Sequence, residues 1–171
     1  MLRRLIQDDI KINDIAWHKD GTLVLDFLLA VELDRSSLKQ VRHHLMRVAL
    51  IDGGSFLQSE REVYDLRFGL VVREADRVLV ESPPDFTAGG VRAVVSKDDR
   101  SNVLSLVCRS TQLLVKLAMP INVTMSTYYA HLPERALRKY EIIGNALADC
   151  GYVCIDAYRN SRGYDRWVFR S

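Results

Sequence analysis

The chain has few residues of the kinds that identify a function class. Its 171 residues include three cysteines and four prolines, and aromatic residues make up 8%. The 24 basic residues nearly balance the 22 acidic ones, and a net charge of +2 is too small to imply nucleic acid or an anionic membrane as the partner. The longest apolar run, residues 27–31, is far shorter than the roughly 18 residues that cross a bilayer. The sequence therefore predicts no membrane span.

The cysteines point to no metal, cofactor or disulfide framework. Cys108, Cys150 and Cys154 form neither an even set nor a C-x-x-C pair, and no histidine stands beside them at zinc-like spacing. Gln7, Asp8 and Asp9 follow soon after Arg3 and Arg4, so the apolar stretch of a signal peptide does not develop. We therefore expect a cytoplasmic protein in which the three thiols act as small hydrophobic side chains.

Common catalytic motifs are missing as well. The sequence contains no phosphate-binding glycine loop, nucleophile elbow, H-E-x-x-H motif or calcium loop. His43 and His44 are adjacent within a predicted helix and would point about 100° apart, so they would chelate a metal poorly. His131, near Tyr128 and Glu134, is the remaining candidate for acid–base chemistry. The sequence leans away from an enzyme, and a small enzyme with dispersed catalytic residues is the third hypothesis.

The composition is that of a folded domain. Apolar residues make up 48% and charged residues 27%, and a chain of this length can bury a core of its own. We predict a single domain over residues 1–171. The strongest break is the Ser-Pro-Pro-Asp segment at residues 82–85 with the glycine pair that follows, so a subdivision into 1–82 and 91–171 is an alternative.

Apolar periodicity predicts an α+β fold, with antiparallel hairpins forming one or two sheets against about three main helices. Alternating patterns favour strands over residues 10–18, 22–32, 63–73, 77–81, 91–96, 121–129, 152–158 and 164–170. Helical spacing favours helices over residues 34–52 and 100–119 and from Pro133 to just before Gly151. The Asp20-Gly21 pair is a hairpin turn signal. Alternation in the second half permits one parallel pairing across a helix, but the final hairpin argues against an all-parallel sheet and hence against a doubly wound nucleotide fold.

The most informative segment is this final hairpin. If Tyr158 and Tyr164 bracket its loop, the pairing places Asp156 opposite Arg166, Cys154 opposite Val168, and Tyr152 opposite Arg170. Alternation then sends one set of side chains into the core: Val153, Ile155, Ala157, Trp167 and Phe169. The other face carries tyrosine, aspartate and arginine.

The candidate partner-binding residues of this hairpin are Tyr158, Arg159, Arg162, Tyr164, Arg166 and Arg170. Tyrosine and arginine are favoured anchors of protein interfaces. The same residues can stack on bases and hold phosphates, as single-stranded nucleic-acid binders do. An ordinary amphipathic sheet face is also compatible with this pattern. The sequence favours a non-catalytic binding or regulatory module that acts through protein–protein contacts as a homo-oligomer. A single-stranded nucleic-acid-binding module is the alternative.

Overall fold

The computed structural model describes residues 2–4, 15–33, 41–53, 63–74, 77–81, 93–128, 134–159, 161 and 163–171. Within these ranges the strands are β1 (Leu2–Arg4), β2 (Ile15–Trp17), β3 (Leu23–Leu33), β4 (Val41–Asp52), β5 (Val63–Glu74), β6 (Arg77–Glu81), β7 (Asn122–Tyr128), β8 (Val153–Arg159) and β9 (Tyr164–Arg170). The helices are α1 (Arg100–Ala118) and α2 (Glu134–Ala148). One mixed sheet thus carries most of the described chain.

The strands of the sheet lie in the order β1, β3, β4, β5, β7, β9, β8. β2 pairs with β3 beside β1, and β6 pairs with β5 beside β7. β5 and β7 are parallel, whereas the other described ladders are antiparallel. The crossover from β5 to β7 contains α1, and α2 connects β7 to β8. Among the described strands, β8 is the last one at one edge of the sheet.

Three long neighbouring strands supply the centre of the core. Their directly opposed residues share a face, and the register aligns three rows of apolar side chains. These rows are Leu23–Leu50–Leu66, Leu25–Val48–Phe68 and Phe27–Met46–Leu70. α1 packs on β3 and β4, and α2 packs on α1. Both helices add apolar residues to the same cluster, so they cover this face of the sheet.

The predicted fold class is wrong in two respects. The described chain has two helices rather than about three, and its single sheet is mixed rather than built only from antiparallel hairpins. The error lies mainly in the helix predicted over residues 34–52, because residues 41–52 form β4. Leu45 and Val48 have helical spacing, but Met46, Val48 and Leu50 also alternate at the strand period, and pairing with β3 and β5 on both sides stabilises the strand. Residues 34–40 lie outside the described part.

The predicted strand over residues 91–96 is wrong where it can be examined. Residues 93–96 form a short helical turn and a bend before α1. Here the hydroxyl of Ser96 donates to the carboxylate of Asp99, and the backbone N–H of Asp99 donates to the Ser96 hydroxyl oxygen at 3.2 Å. These contacts fix the entry into α1. Residues 82–90, where the alternative domain boundary falls, lie outside the described residues.

Other elements are confirmed. β2 and β3 form the hairpin signalled by Asp20-Gly21, where Gly21 adopts a φ of +85° and its N–H donates to the carbonyl of His18 at 3.1 Å. The N–H of Thr22 donates to the Asp20 carboxylate, which lowers the pKa of that carboxyl. β5–β6, α1, β7, α2 and β8–β9 also lie close to their predicted ranges.

Candidate functional site

The final hairpin places its first strand, β8, at the edge of the sheet. β9 lies between β7 and β8, so it is paired on both sides, whereas no described strand pairs with the outer edge of β8. Every residue of β8 is exposed, on both of its faces. The apolar side chains are included, since Val153 is 65% exposed and Ile155 is 49% exposed. β8 thus has two exposed faces, and its outer edge is paired with none of the described strands.

The register of the hairpin differs from the prediction. Tyr158, not Asp156, lies opposite Arg166, and Asp156 lies opposite Val168. The closing pair is Arg159 with Asp165, so the register near the turn is shifted by two residues. A bulge between Cys154 and Asp156 then changes the register by one residue further along β8. Neither the turn geometry nor the bulge has a signal in the sequence.

The bulge and the edge position explain which core residues were predicted wrongly. Val153, Ile155 and Ala157 were expected in the core but are exposed. The bulge places Val153 opposite Arg170, on the face away from the helices, and Ala157 lies on the helix side at the border of the layer that the helices cover. The expected core position of Phe169 is confirmed. Trp167 is half-buried and stacks on Tyr140, with ring centroids 5.2 Å apart and planes inclined by 11°.

Tyr152 lies just before β8 rather than on its outer face. Its side chain is buried, and its hydroxyl donates to the carbonyl of Pro120 at 2.6 Å. Burial raises the pKa of Tyr152, so the phenol stays neutral and keeps its proton for this hydrogen bond. Tyr152 therefore anchors the entry to the hairpin and is not part of a binding face.

The predicted binding residues divide between the two faces of the hairpin. Alternation from the observed register places Tyr158, Tyr164, Arg166 and Arg170 on the face away from the helices. Arg159 lies on the opposite face, where its Nε and Nη2 donate to the Asp165 carboxylate at 2.9 and 3.4 Å. Arg162 lies outside the described residues. Four of the six predicted residues are thus brought together.

The face of Tyr158 and Arg166 is mixed in charge. Arg170 donates from Nε to the side-chain oxygen of Asn122 at 3.0 Å. Asp65 on β5 accepts from Arg67 at 2.8 Å and from the hydroxyl of Thr124 at 3.0 Å on the same side of the sheet. Asp156 also belongs to this side. On this face Arg67 pairs with an acidic group and Arg170 with an amide group, so the face is not one continuous positive surface.

Sequence reasoning missed an ionic cluster on three central strands. The Asp26 carboxylate of β3 accepts from Arg47 of β4 at 2.8 and 2.9 Å and from Arg73 of β5 at 2.6 Å. All three side chains are partly buried. The cluster was invisible because residues 41–52 were assigned to a helix, which separates these residues in space. It links three neighbouring strands on the face away from the helices.

Among the described residues, the histidines and cysteines do not assemble a reactive centre. Adjacent residues of a strand point to opposite faces, so His43 and His44 on β4 diverge even more than they would on a helix. His44 contacts Glu32 at 3.3 Å. Burial raises the pKa of the Cys108 and Cys150 thiols; Asp149 adds to this effect for both, and Lys116 partly opposes it at Cys150. Such thiols stay protonated and are poor nucleophiles.

Across the described ranges, no group of three or more histidine, cysteine, aspartate or glutamate residues is placed to hold a metal ion. His131 lies outside these ranges. None of the described helices is both long enough and apolar enough to span a bilayer.

Comparison of the chain with protein-family models, with curated proteins and with solved structures yields no match. The function must therefore be argued from the geometry of the molecule itself.

Proposed function

We propose that this protein is a non-catalytic binding module that self-associates through β8. The observation that carries the proposal is the exposure of β8 along its whole length and on both faces at the edge of the sheet. The outer edge of such a strand presents backbone N–H and C=O groups that can template pairing with another strand. A second copy of the chain offers the same strand with the same exposed apolar side chains.

Pairing two copies of β8 extends the sheet without new secondary structure. Antiparallel pairing about a two-fold axis is self-complementary, since each copy uses the same residues. The axis runs perpendicular to the sheet and brings matching faces together, so the helices of both copies lie on one side. Main-chain hydrogen bonds supply affinity in this mode, and alternate side chains supply specificity.

The charged side chains limit the registers in which two copies of β8 can pair. A register centred on Asp156 sets two carboxylates directly opposite each other, which is destabilising. A register centred on Ala157 sets Asp156 of one copy opposite Tyr158 of the other, twice. The tyrosine hydroxyl can donate to the carboxylate, and the small Ala157 side chains meet at the axis. We therefore place the two-fold axis at Ala157.

The test is the mass of the chain in solution as a function of protein concentration, measured by sedimentation velocity. Wild type is expected to reach twice the 19.5 kDa chain mass. Val153→Lys with Ile155→Lys adds two charges to side chains that are already exposed, so it should leave the fold intact and return the mass to that of one chain.

A matched control makes the same chemical change elsewhere. Trp17, 60% exposed at the other edge of the sheet, and Ile142, 41% exposed on α2, are both replaced by lysine. This variant should retain the doubled mass. A wild-type chain that stays monomeric over the whole concentration range contradicts the proposal, and so does a dimer that the control variant dissociates while the β8 variant does not.

Single-stranded nucleic acid is the second candidate, supported by the common face of Tyr158, Tyr164, Arg166 and Arg170. The ionic contacts of Arg159 with Asp165 and the acidic residues on the face weigh against it. Fluorescence anisotropy with a labelled single-stranded oligonucleotide at several salt concentrations separates the two candidates. Salt-dependent binding that Arg166→Glu weakens supports the nucleic-acid candidate. Binding that is absent at low salt removes it.

A further inference from the structure

A second site lies away from the hairpin, between the two helices. α1 presents Val103, Leu104 and Val107 on one face, at the spacing of a single helical side. Ile143 of α2 and Val95, from the bend before α1, face the same space. Together they line a cavity of about 230 Å³. The cavity is partly open to solvent and belongs to neither β8 nor the ionic cluster.

The cavity is shaped for an apolar group. Val95, Val103, Val107 and Ile143 are almost fully buried, so its floor is part of the hydrophobic core. An apolar cavity of about 150 Å³ accommodates benzene, which has six carbons, so a cavity half as large again holds about nine non-hydrogen atoms. The surface of the cavity contains almost no polar atoms, so it offers few hydrogen-bond partners that would hold water inside. By the same scaling from the benzene-binding cavity, an aliphatic chain of about nine carbons fits this space.

Two polar residues line the cavity, and both carry a positive charge. Arg100 at the start of α1 and Lys139 of α2 line it together with the apolar residues. The Lys139 ammonium lies 5.1 Å from the centroid of the Tyr140 ring, which holds it against the helix pair. Arg100 is in the first turn of α1, where there is no acidic residue and the helix dipole favours a negative charge. The two charged residues that line the apolar cavity are thus both positive, and they define its cationic mouth.

We propose that this cavity binds a medium-chain carboxylate, with the alkyl chain between α1 and α2 and the carboxylate at Arg100 and Lys139. Apolar depth and a cationic mouth match the two ends of such a ligand. A neutral alcohol of equal length satisfies only the first feature, and a short carboxylate satisfies only the second. The proposal is independent of self-association through β8.

Isothermal titration calorimetry with decanoate, on the full chain and below its micelle concentration, tests the proposal. Wild type should show saturable binding, and decanol and butyrate should bind at least about tenfold more weakly. Arg100→Gln with Lys139→Gln should weaken decanoate binding about tenfold, because two charge-assisted contacts are lost. The control, Arg109→Gln with Arg138→Gln, removes the same charge from exposed positions on the same helices and should bind like wild type.

A third variant tests whether the apolar part of the cavity holds the alkyl chain. Leu104 is half-buried at the cavity wall, so Leu104→Phe fills the space from its rim without replacing a fully buried side chain. It should abolish decanoate binding while circular dichroism and the urea midpoint confirm a folded chain. The absence of saturable binding to wild type overturns the proposal, as does binding that survives Leu104→Phe. Equal affinity for decanol and decanoate overturns the assignment of the carboxylate to Arg100 and Lys139.

Discussion

At the scale of single residues, Gly144 of α2 illustrates a sequence signal with a physical cause. A glycine on the apolar face of a helix lowers helix stability by roughly 1 kcal/mol relative to alanine, so its presence there indicates that another group packs closely against the helix backbone. A β-carbon at Gly144 would lie 3.2 Å from Cζ of Phe169, tighter than ordinary contact. Gly144→Leu should therefore lower the free energy of unfolding by about 1–3 kcal/mol through overpacking.

Urea denaturation measures this effect. The control is Asn145→Leu, which introduces the same side chain at the next, exposed position of α2 and should change stability by no more than about 0.5 kcal/mol. Equal midpoints for wild type and Gly144→Leu would show that the helix and the Phe169 ring can separate at no cost, contrary to the packing described.

Asp26 provides a second prediction at this scale. Asp26→Asn keeps the shape of the side chain but removes the charge that Arg47 and Arg73 share. The two guanidinium groups then lie close together and partly buried without their carboxylate, so stability should fall by about 1–3 kcal/mol. Asp98→Asn, at an exposed position, should be neutral in the same urea measurement. A neutral Asp26→Asn would mean that the cluster contributes no net stability.

At the scale of elements, the two strands of the final hairpin should respond differently to mutation. Trp167 on β9 stacks on Tyr140 of α2, whereas Tyr158 on β8 is 42% exposed. Trp167→Ala should cost about 3 kcal/mol, the lower end of the range for a large aromatic side chain, because the ring is only half-buried. Tyr158→Ala should change the stability of one chain by less than about 0.5 kcal/mol.

The Val153→Lys, Ile155→Lys background makes this comparison free of self-association. Trp167→Ala and Tyr158→Ala are each introduced into this background, and unfolding is followed in urea. Similar losses for Trp167→Ala and Tyr158→Ala would contradict the division of the hairpin into a packed strand and an exposed one.

The elements also show what the sequence could and could not predict. Hairpins with a turn signal such as Asp20-Gly21, and helices bounded by Pro120 or Gly151, were predicted close to their observed ranges. Residues 41–52 were not, because their apolar residues satisfy the helical and the strand period together, and pairing with two neighbouring strands decides between them. Strand order has no local signal, so the exposed position of β8 could not be predicted.

The candidate site was predicted in part for the same reason. Alternation placed Tyr158, Tyr164 and Arg166 on one face, as observed, because it depends only on the strand period. The register and the position of Arg159 were wrong, because they depend on the turn and on a one-residue bulge. The cavity between α1 and α2 arises from the packing of two helices, which the sequence of each helix alone does not define.

At the scale of the whole molecule, the basis of the proposed self-association is one sheet in which no described strand pairs with the outer edge of β8. Cys154 lies on this strand and is exposed, whereas Cys108 and Cys150 are half-buried. Replacing the latter two with alanine leaves Cys154 as a single labelling site. The fold should be retained, since both act as small hydrophobic side chains.

The distance between nitroxide labels on Cys154 in two copies, measured by double electron–electron resonance, tests the pairing of β8 most directly. Cys154 is three residues from Ala157, so the two Cα atoms should lie about 20 Å apart along the strands at about 3.4 Å per residue. A narrow distribution near this separation is expected, and Val153→Lys with Ile155→Lys should abolish the dipolar signal. A chain that shows no intermolecular coupling, or a dimer whose labels lie beyond about 40 Å, twice the separation set by that rise, would contradict edge-to-edge pairing of β8.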